Sequence, residues 1–205
     1  DDCGESETIL TQVSNFNDVK FLCSDCYQLK YLEKNIIKSN TSKKLSKGSA
    51  AVVGDTYFLA QYDDWSIKCI KAPEDQPDPC QLYQQLLDIN SNPVADIHIF
   101  ILSDGVNTQA GASLMTPLET LLTENILFSI DNGPIKVYEF SFCNVSGCVA
   151  RMRLTEEDLS KFKLGNWAQA KIFSARNPNM EVTASLSLKG FTAALKSLNR
   201  VILEN

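Results

Sequence analysis

Val182-Thr183-Ala184-Ser185-Leu186-Ser187-Leu188-Lys189 alternates apolar and polar side chains without a break. Successive side chains of a strand point to opposite faces, so this stretch buries Val182, Ala184, Leu186 and Leu188 and leaves the others to solvent. Working outward, the neighbouring segments read the same way. Ala168 to Phe173 is a strand, and the chain closes on an amphipathic helix from Thr192 to about Leu203. Thr155-Glu156-Glu157-Asp158 opens a short helix that ends near Gly165. Ile126 to Ile130 runs into Asp131-Asn132-Gly133-Pro134, the strongest hairpin signal in the chain, and Ile135 to Phe142 and Val149 to Leu154 follow as strands. Earlier, Trp65 to Cys69, Cys80 to Leu87, Val94 to Leu102 and Ala110 to Met115 are strand-like. The third of these is nearly all apolar, which predicts burial on both faces. Thr116-Pro117-Leu118-Glu119 predicts one helical turn. The result is a mostly β chain: an antiparallel β-sandwich of about eight or nine strands with two or three short helices.

Ahead of this domain, residues 5–38 read as helical or mixed. Leu29, Leu32, Ile36 and Ile37 have helical spacing. Asn40 to Gly48 is Lys- and Ser-rich and reads as a linker. The expected organisation is therefore a small helical or irregular extension over 1–50 and a β-sandwich over 51–205. The whole chain has 205 residues, 44% of them hydrophobic, enough for a real core. Nineteen basic against 25 acidic residues give a net charge of −6, and with a pI near 4.9 this argues against nucleic acid as the main partner. No run of 18 apolar residues exists to span a bilayer as a helix. The charge is unevenly placed. Residues 1–50 balance, but Lys30, Lys34, Lys38, Lys43, Lys44 and Lys47 are opposed locally only by Glu33. This basic stretch is the candidate partner-binding surface, for an acidic protein or an anionic membrane face. The alternative is a solvated helix face running into a linker.

Seven cysteines fall at positions 3, 23, 26, 69, 80, 143 and 148. Zinc needs four converging ligands, and the single histidine, His98, lies inside an apolar run. Structural disulfides among Cys23 and Cys26, Cys69 and Cys80, and Cys143 and Cys148 explain the pattern better, each closing a short polar loop. The sequence alone leaves their connectivity open. Disulfides imply an oxidising compartment. The chain begins at Asp1 rather than Met, as expected of a mature exported protein whose signal peptide has been removed. Cys3 is the odd thiol.

Asp64-Trp65-Ser66-Ile67-Lys68-Cys69, Pro79-Cys80-Gln81-Leu82 and Pro117-Leu118-Glu119 resemble the invasion-associated locus B (IalB) family. So do Phe142-Cys143 with Gly147-Cys148-Val149-Ala150, and Ser187-Leu188-Lys189-Gly190-Phe191-Thr192-Ala193-Ala194. The resemblance covers roughly residues 60–200. It implies an exported alphaproteobacterial β-sandwich, periplasmic, envelope-associated or secreted, without established catalytic residues. The first 50 residues do not match it.

The remaining candidates for chemistry have simpler explanations. His98 reads as a hydrogen-bonded sheet histidine, and no Gly-x-Ser-x-Gly elbow accompanies it. Glu156-Glu157-Asp158 is explained by helix capping, and Gly147 by a tight loop. Trp65 and Trp167 read as core residues of the sandwich. No catalytic residue, metal or cofactor is assigned. The expected function is a non-catalytic exported envelope binding or accessory protein, docked through its N-terminal segment onto a protein partner or membrane complex. Two alternatives stand beside it: a secreted invasion-associated factor binding a host surface, and a thiol–disulfide redox protein using Cys23 and Cys26.

Overall fold

β-Branched and aromatic residues recur throughout the chain, and strand pairing dominates the result. The computed structural model describes residues 10–15, 18–23, 51–103 and 108–204. The chain divides into two compact units, Asp1–Ser42 and Lys43–Asn205. In the first, β1 (Leu10–Asn15) pairs antiparallel with β2 (Asp18–Cys23), from Leu10 opposite Cys23 to Asn15 opposite Asp18. This corrects the helical or irregular expectation for residues 10–23. Thr11, Val13, Val19 and Phe21 are strand formers, whereas the helix-spaced leucines and isoleucines sit farther along, outside the described residues.

The second unit is one antiparallel sheet of eleven strands. In chain order they are β3 (Thr56–Tyr62), β4 (Trp65–Ile70), β5 (Cys80–Leu87), β6 (Pro93–Ser103), β7 (Thr108–Thr116), β8 (Ile126–Ile130), β9 (Lys136–Tyr138), β10 (Phe140–Asn144), β11 (Gly147–Leu154), β12 (Trp167–Phe173) and β13 (Glu181–Ser187). Helix α1 (Glu156–Leu164) follows β11, and α2 (Phe191–Glu204) follows β13. The hydrogen-bonded path runs β10-β11-β7-β6-β5-β13-β12-β8-β9. The sheet forks at β5. β6 takes one edge; β4 occupies the first part of the other, with Cys69 opposite Cys80, and β13 meets its end at Leu87. The two ends of the path, β9 and β10, are separated in sequence only by Glu139. The sheet therefore folds back on itself into a near-closed sandwich around one core. The expected single strand over 135–142 is broken at Glu139 because its halves pair with different partners, β8 and β11.

Alternation places Leu82, Leu86, Ile97, Ile99, Leu114, Met152, Ala170 and Leu186 inside, all nearly fully buried. Phe191, Ala194, Leu195 and Leu198 of α2 close the core against β3, β4 and β5. β6 alternates as well. Ala95, Ile97 and Ile99 are buried, while Val94, Asp96, His98 and Phe100 are half-buried on the outer face, so the expectation of burial on both faces does not hold. Residues 117–120 form a turn closed by the Thr120 N–H on the Pro117 carbonyl rather than a helical turn. β3 went unanticipated because its run of Tyr57, Phe58, Leu59 and Ala60 has no clean alternation, and a register shift interrupts its pairing with β4 at Phe58–Ala60.

Candidate functional site

A concavity is built by the β8–β9 hairpin and α1. Asp131 sits at the hairpin turn with φ 48°, a left-handed conformation that Asp tolerates better than most residues. Its Oδ1 accepts the backbone N–H groups of Asn166 (3.1 Å) and Trp167 (3.2 Å), which ties the turn to the chain leaving α1. Helix α1 starts at Thr155 in a capping box. The Thr155 hydroxyl accepts the Asp158 N–H (3.2 Å), and the Asp158 carboxylate accepts the Thr155 N–H (3.1 Å). The helix stops where the Gly165 N–H donates to the Lys161 carbonyl at 2.8 Å. Between hairpin and helix lies a half-open cleft of about 330 Å³. Its walls are Phe128, Ile130, Pro134, Leu154, Phe162 and Leu164, with Ser129, Asp131, Lys136, Tyr138, Asp158 and Lys161 as the polar residues lining it. The Phe128 and Phe162 rings stack with centroids 5.9 Å apart and planes 12° apart.

Asp158 is almost fully buried and ion-pairs with Lys136. Burial pushes its pKa up, but bonds from Lys136 and from the Thr155 backbone and hydroxyl outweigh this and hold it below the usual carboxylate range. Tyr138 is pushed up by burial and by the Asp158 charge. Lys161 pairs with exposed Glu157 one turn back on the same helix at 2.7 Å.

A second cluster lies on the outer face of β3–β6. The Tyr83 ring packs against His98 (5.1 Å) and Phe58 (5.9 Å), with the Lys68 ammonium 4.5 Å above it. Tyr83 donates its O–H to Asp96 at 2.9 Å, and burial with the Asp96 charge raises its pKa. His98 is pushed down by burial and by Lys68, with Asp96 opposing. Its Nδ1 is buried without a hydrogen-bond partner, so it is a sheet histidine, but not the hydrogen-bonded one expected.

A model of the invasion associated locus B (IalB) protein family matches residues 65–199. The chain belongs to the IalB family. No curated protein matches it. Among solved structures, the crystal structure of invasion associated protein b from Bartonella henselae is similar, with a TM-score of 0.60 and 19% sequence identity, over 70% of this chain and 96% of that one. At that identity the likeness shows the fold.

Two of the IalB motifs, Asp64–Cys69 and Ser187–Ala194, meet at the sheet fork, joined there by Gln84. The Trp65 indole N–H and the Gln84 carboxamide both donate to the Ser187 carbonyl, at 2.9 and 3.0 Å, and the Ser187 N–H donates back to Gln84 Oε1 at 2.8 Å. The Ser187 hydroxyl donates to Asp64 at 2.6 Å, and Trp65 meets Phe191 edge-on. Gly190, at φ 86°, passes so close to the Tyr62 carbonyl that any Cβ would collide with it. These residues fasten β3, β4, β5, β13 and α2 together. Asp63 and Asp64 form the β3–β4 hairpin turn, with Tyr62 opposite Trp65. Trp65 is core, as expected, and Trp167 is half-buried.

Cys69–Cys80 and Cys143–Cys148 are disulfides between directly opposed strand positions. Cys26, Lys30, Lys34, Lys38, Lys43, Lys44 and Lys47 lie outside the described residues, as does the side chain of Cys23. Among the described residues no cluster of His, Cys, Asp and Glu is arranged to hold a metal, and no helix is long and apolar enough to cross a membrane. The cleft was missed from sequence. Its parts, the hairpin turn and the capped helix, were both legible, but their juxtaposition is set by the sheet path from β8 through β12 and β13.

Proposed function

We propose that this IalB-family chain is a non-catalytic, exported envelope protein, periplasmic or secreted, that works as a binding or accessory module. The observation that carries the reading is a preformed cleft with apolar walls and few polar groups in a domain stapled by two disulfides. Ligand sites have this composition, and structural disulfides persist in oxidising compartments.

The segment over residues 1–50 is the docking element in this reading. Its lysines 30, 34, 38, 43, 44 and 47 face an acidic surface of a membrane complex, or an anionic membrane, while residues 51–205 carry the net negative charge. The test is the full chain with all six lysines replaced by glutamine, fractionated from its native host. The reading expects the unaltered chain in the envelope fraction, sedimenting with membranes, and the variant released into the soluble exported fraction. Equal sedimentation of both would overturn the docking role, and recovery of the unaltered chain from the cytoplasm would overturn export.

A further inference from the structure

We propose that the cleft between β8–β9 and α1 binds a medium-chain acyl monocarboxylate, its tail along the aromatic wall and its carboxylate on Lys161. This names the ligand class of the binding module and rests on that reading. The size fits: about 330 Å³ is the volume of about eleven liquid waters, room for a tail of about ten carbons. The walls fit as well. The inner part of the wall is aromatic, Phe128 and Phe162, both almost fully buried, and Ile130, Pro134 and Leu164 form its more open part. Leu164 stands 86% exposed at the mouth, so a tail lying over it removes apolar surface from water that the fold itself leaves wet.

The charges decide the headgroup. Of the two carboxylates facing the cleft, Asp131 is engaged by two backbone N–H groups. Asp158 is engaged by Thr155 and by Lys136, which commits that lysine too. Lys161 is different. Its ion pair is with Glu157, whose side chain is 77% exposed, and an exposed pair of this kind holds its partners weakly. Lys161 therefore exchanges Glu157 for an anion in the cleft at little cost. One exchangeable ammonium beside an apolar cavity complements one negative charge on an apolar tail. A cationic head would meet two lysines, and an alcohol would leave the ammonium where it is.

Calorimetric titration of the full chain with decanoate, decanol and decyltrimethylammonium, each below its micelle concentration, tests this. We expect one decanoate per chain, bound about fivefold tighter than decanol, the upper scale of one partly exposed charge pair, and no binding of the cation. Lys161→Gln should bring decanoate down to the decanol level and leave decanol unchanged. Leu164→Glu, at an exposed position where the fold is not at stake, should weaken decanoate several-fold more than decanol. Decanoate no tighter than decanol, or indifferent to Lys161→Gln, would overturn the carboxylate assignment and leave a neutral-ligand cleft in the binding module. Absence of saturable binding by all three would overturn the cleft as a ligand site, and the membrane-docking experiment would still stand as a separate test of the module.

Discussion

Gln84 is the polar residue whose loss the fold should feel most sharply. β13 and β5 share a single paired position, Ser185 with Leu87, and two residues on, the Gln84 side chain takes over as a surrogate peptide group. It accepts the Ser187 N–H at 2.8 Å and donates to the Ser187 carbonyl at 3.0 Å, from a position only 7% exposed. Gln84→Met keeps the volume and removes both bonds. The Ser187 carbonyl retains the Trp65 indole, so the orphaned group is the Ser187 N–H. Two neutral hydrogen bonds at about 1 kcal/mol each, one leaving an unpaired donor, give a loss of about 2 kcal/mol. For a unit of this size that lowers Tm by about 4–8 °C. Urea denaturation followed by circular dichroism should show a lower midpoint with an unchanged m-value. The neighbouring exposed Gln85→Met serves as control and should stay within about 0.5 kcal/mol. A Gln84→Met loss no larger than the control would refute the surrogate-peptide reasoning.

Three further outcomes are expected. His98 is the chain's one histidine, so its imidazole resonances stand alone in an NMR titration, and they should titrate below the ordinary value of about 6.5. Because the folded pKa is lowered, the unfolded chain takes up the proton first; stability should fall as pH drops from about 6.5 toward the folded value, and His98→Gln should flatten that slope. Asp158→Asn should cost about 1–2 kcal/mol at pH 7 through the lost ion pair and weakened cap. Its folded pKa is lowered, so the gap to the unaltered chain should close as pH falls below about 4 and through the folded value, read by urea midpoints across pH. Replacing Cys69 and Cys80 by alanine opens a loop with sequence separation 11, and replacing Cys143 and Cys148 one with separation 5. The first should cost about 3 kcal/mol and the second about 2 kcal/mol, and a larger loss for the second pair in denaturant titrations would contradict the loop-entropy account.

Much of the sandwich was legible because its signals are local. Val182–Leu188, the Ile126–Ile130 strand with its Asp-Asn-Gly-Pro turn, and the capping box at Thr155 each declare themselves within nine residues. The failures are where tertiary structure decides. Glu139 breaks a continuous strand-like stretch because its two sides join opposite ends of the sheet, and only that topology tells a reader so. His98 lies between Ile97 and Ile99 in a run that reads as doubly buried, yet the molecule covers one face of β6. The β1–β2 hairpin lay inside a segment dominated by the helical spacing of its later leucines and isoleucines. The cleft combines Lys136 with Asp158 across a sequence distance of 22 residues, and nothing in either local sequence announces the other.

Non-reducing peptide mapping by mass spectrometry, on protein recovered from the exported fraction of its native source, tests the central claim most directly. A disulfide-stapled exported module predicts Cys69 linked to Cys80 and Cys143 linked to Cys148 in essentially every molecule. Free thiols at those four positions in that exported protein would contradict it.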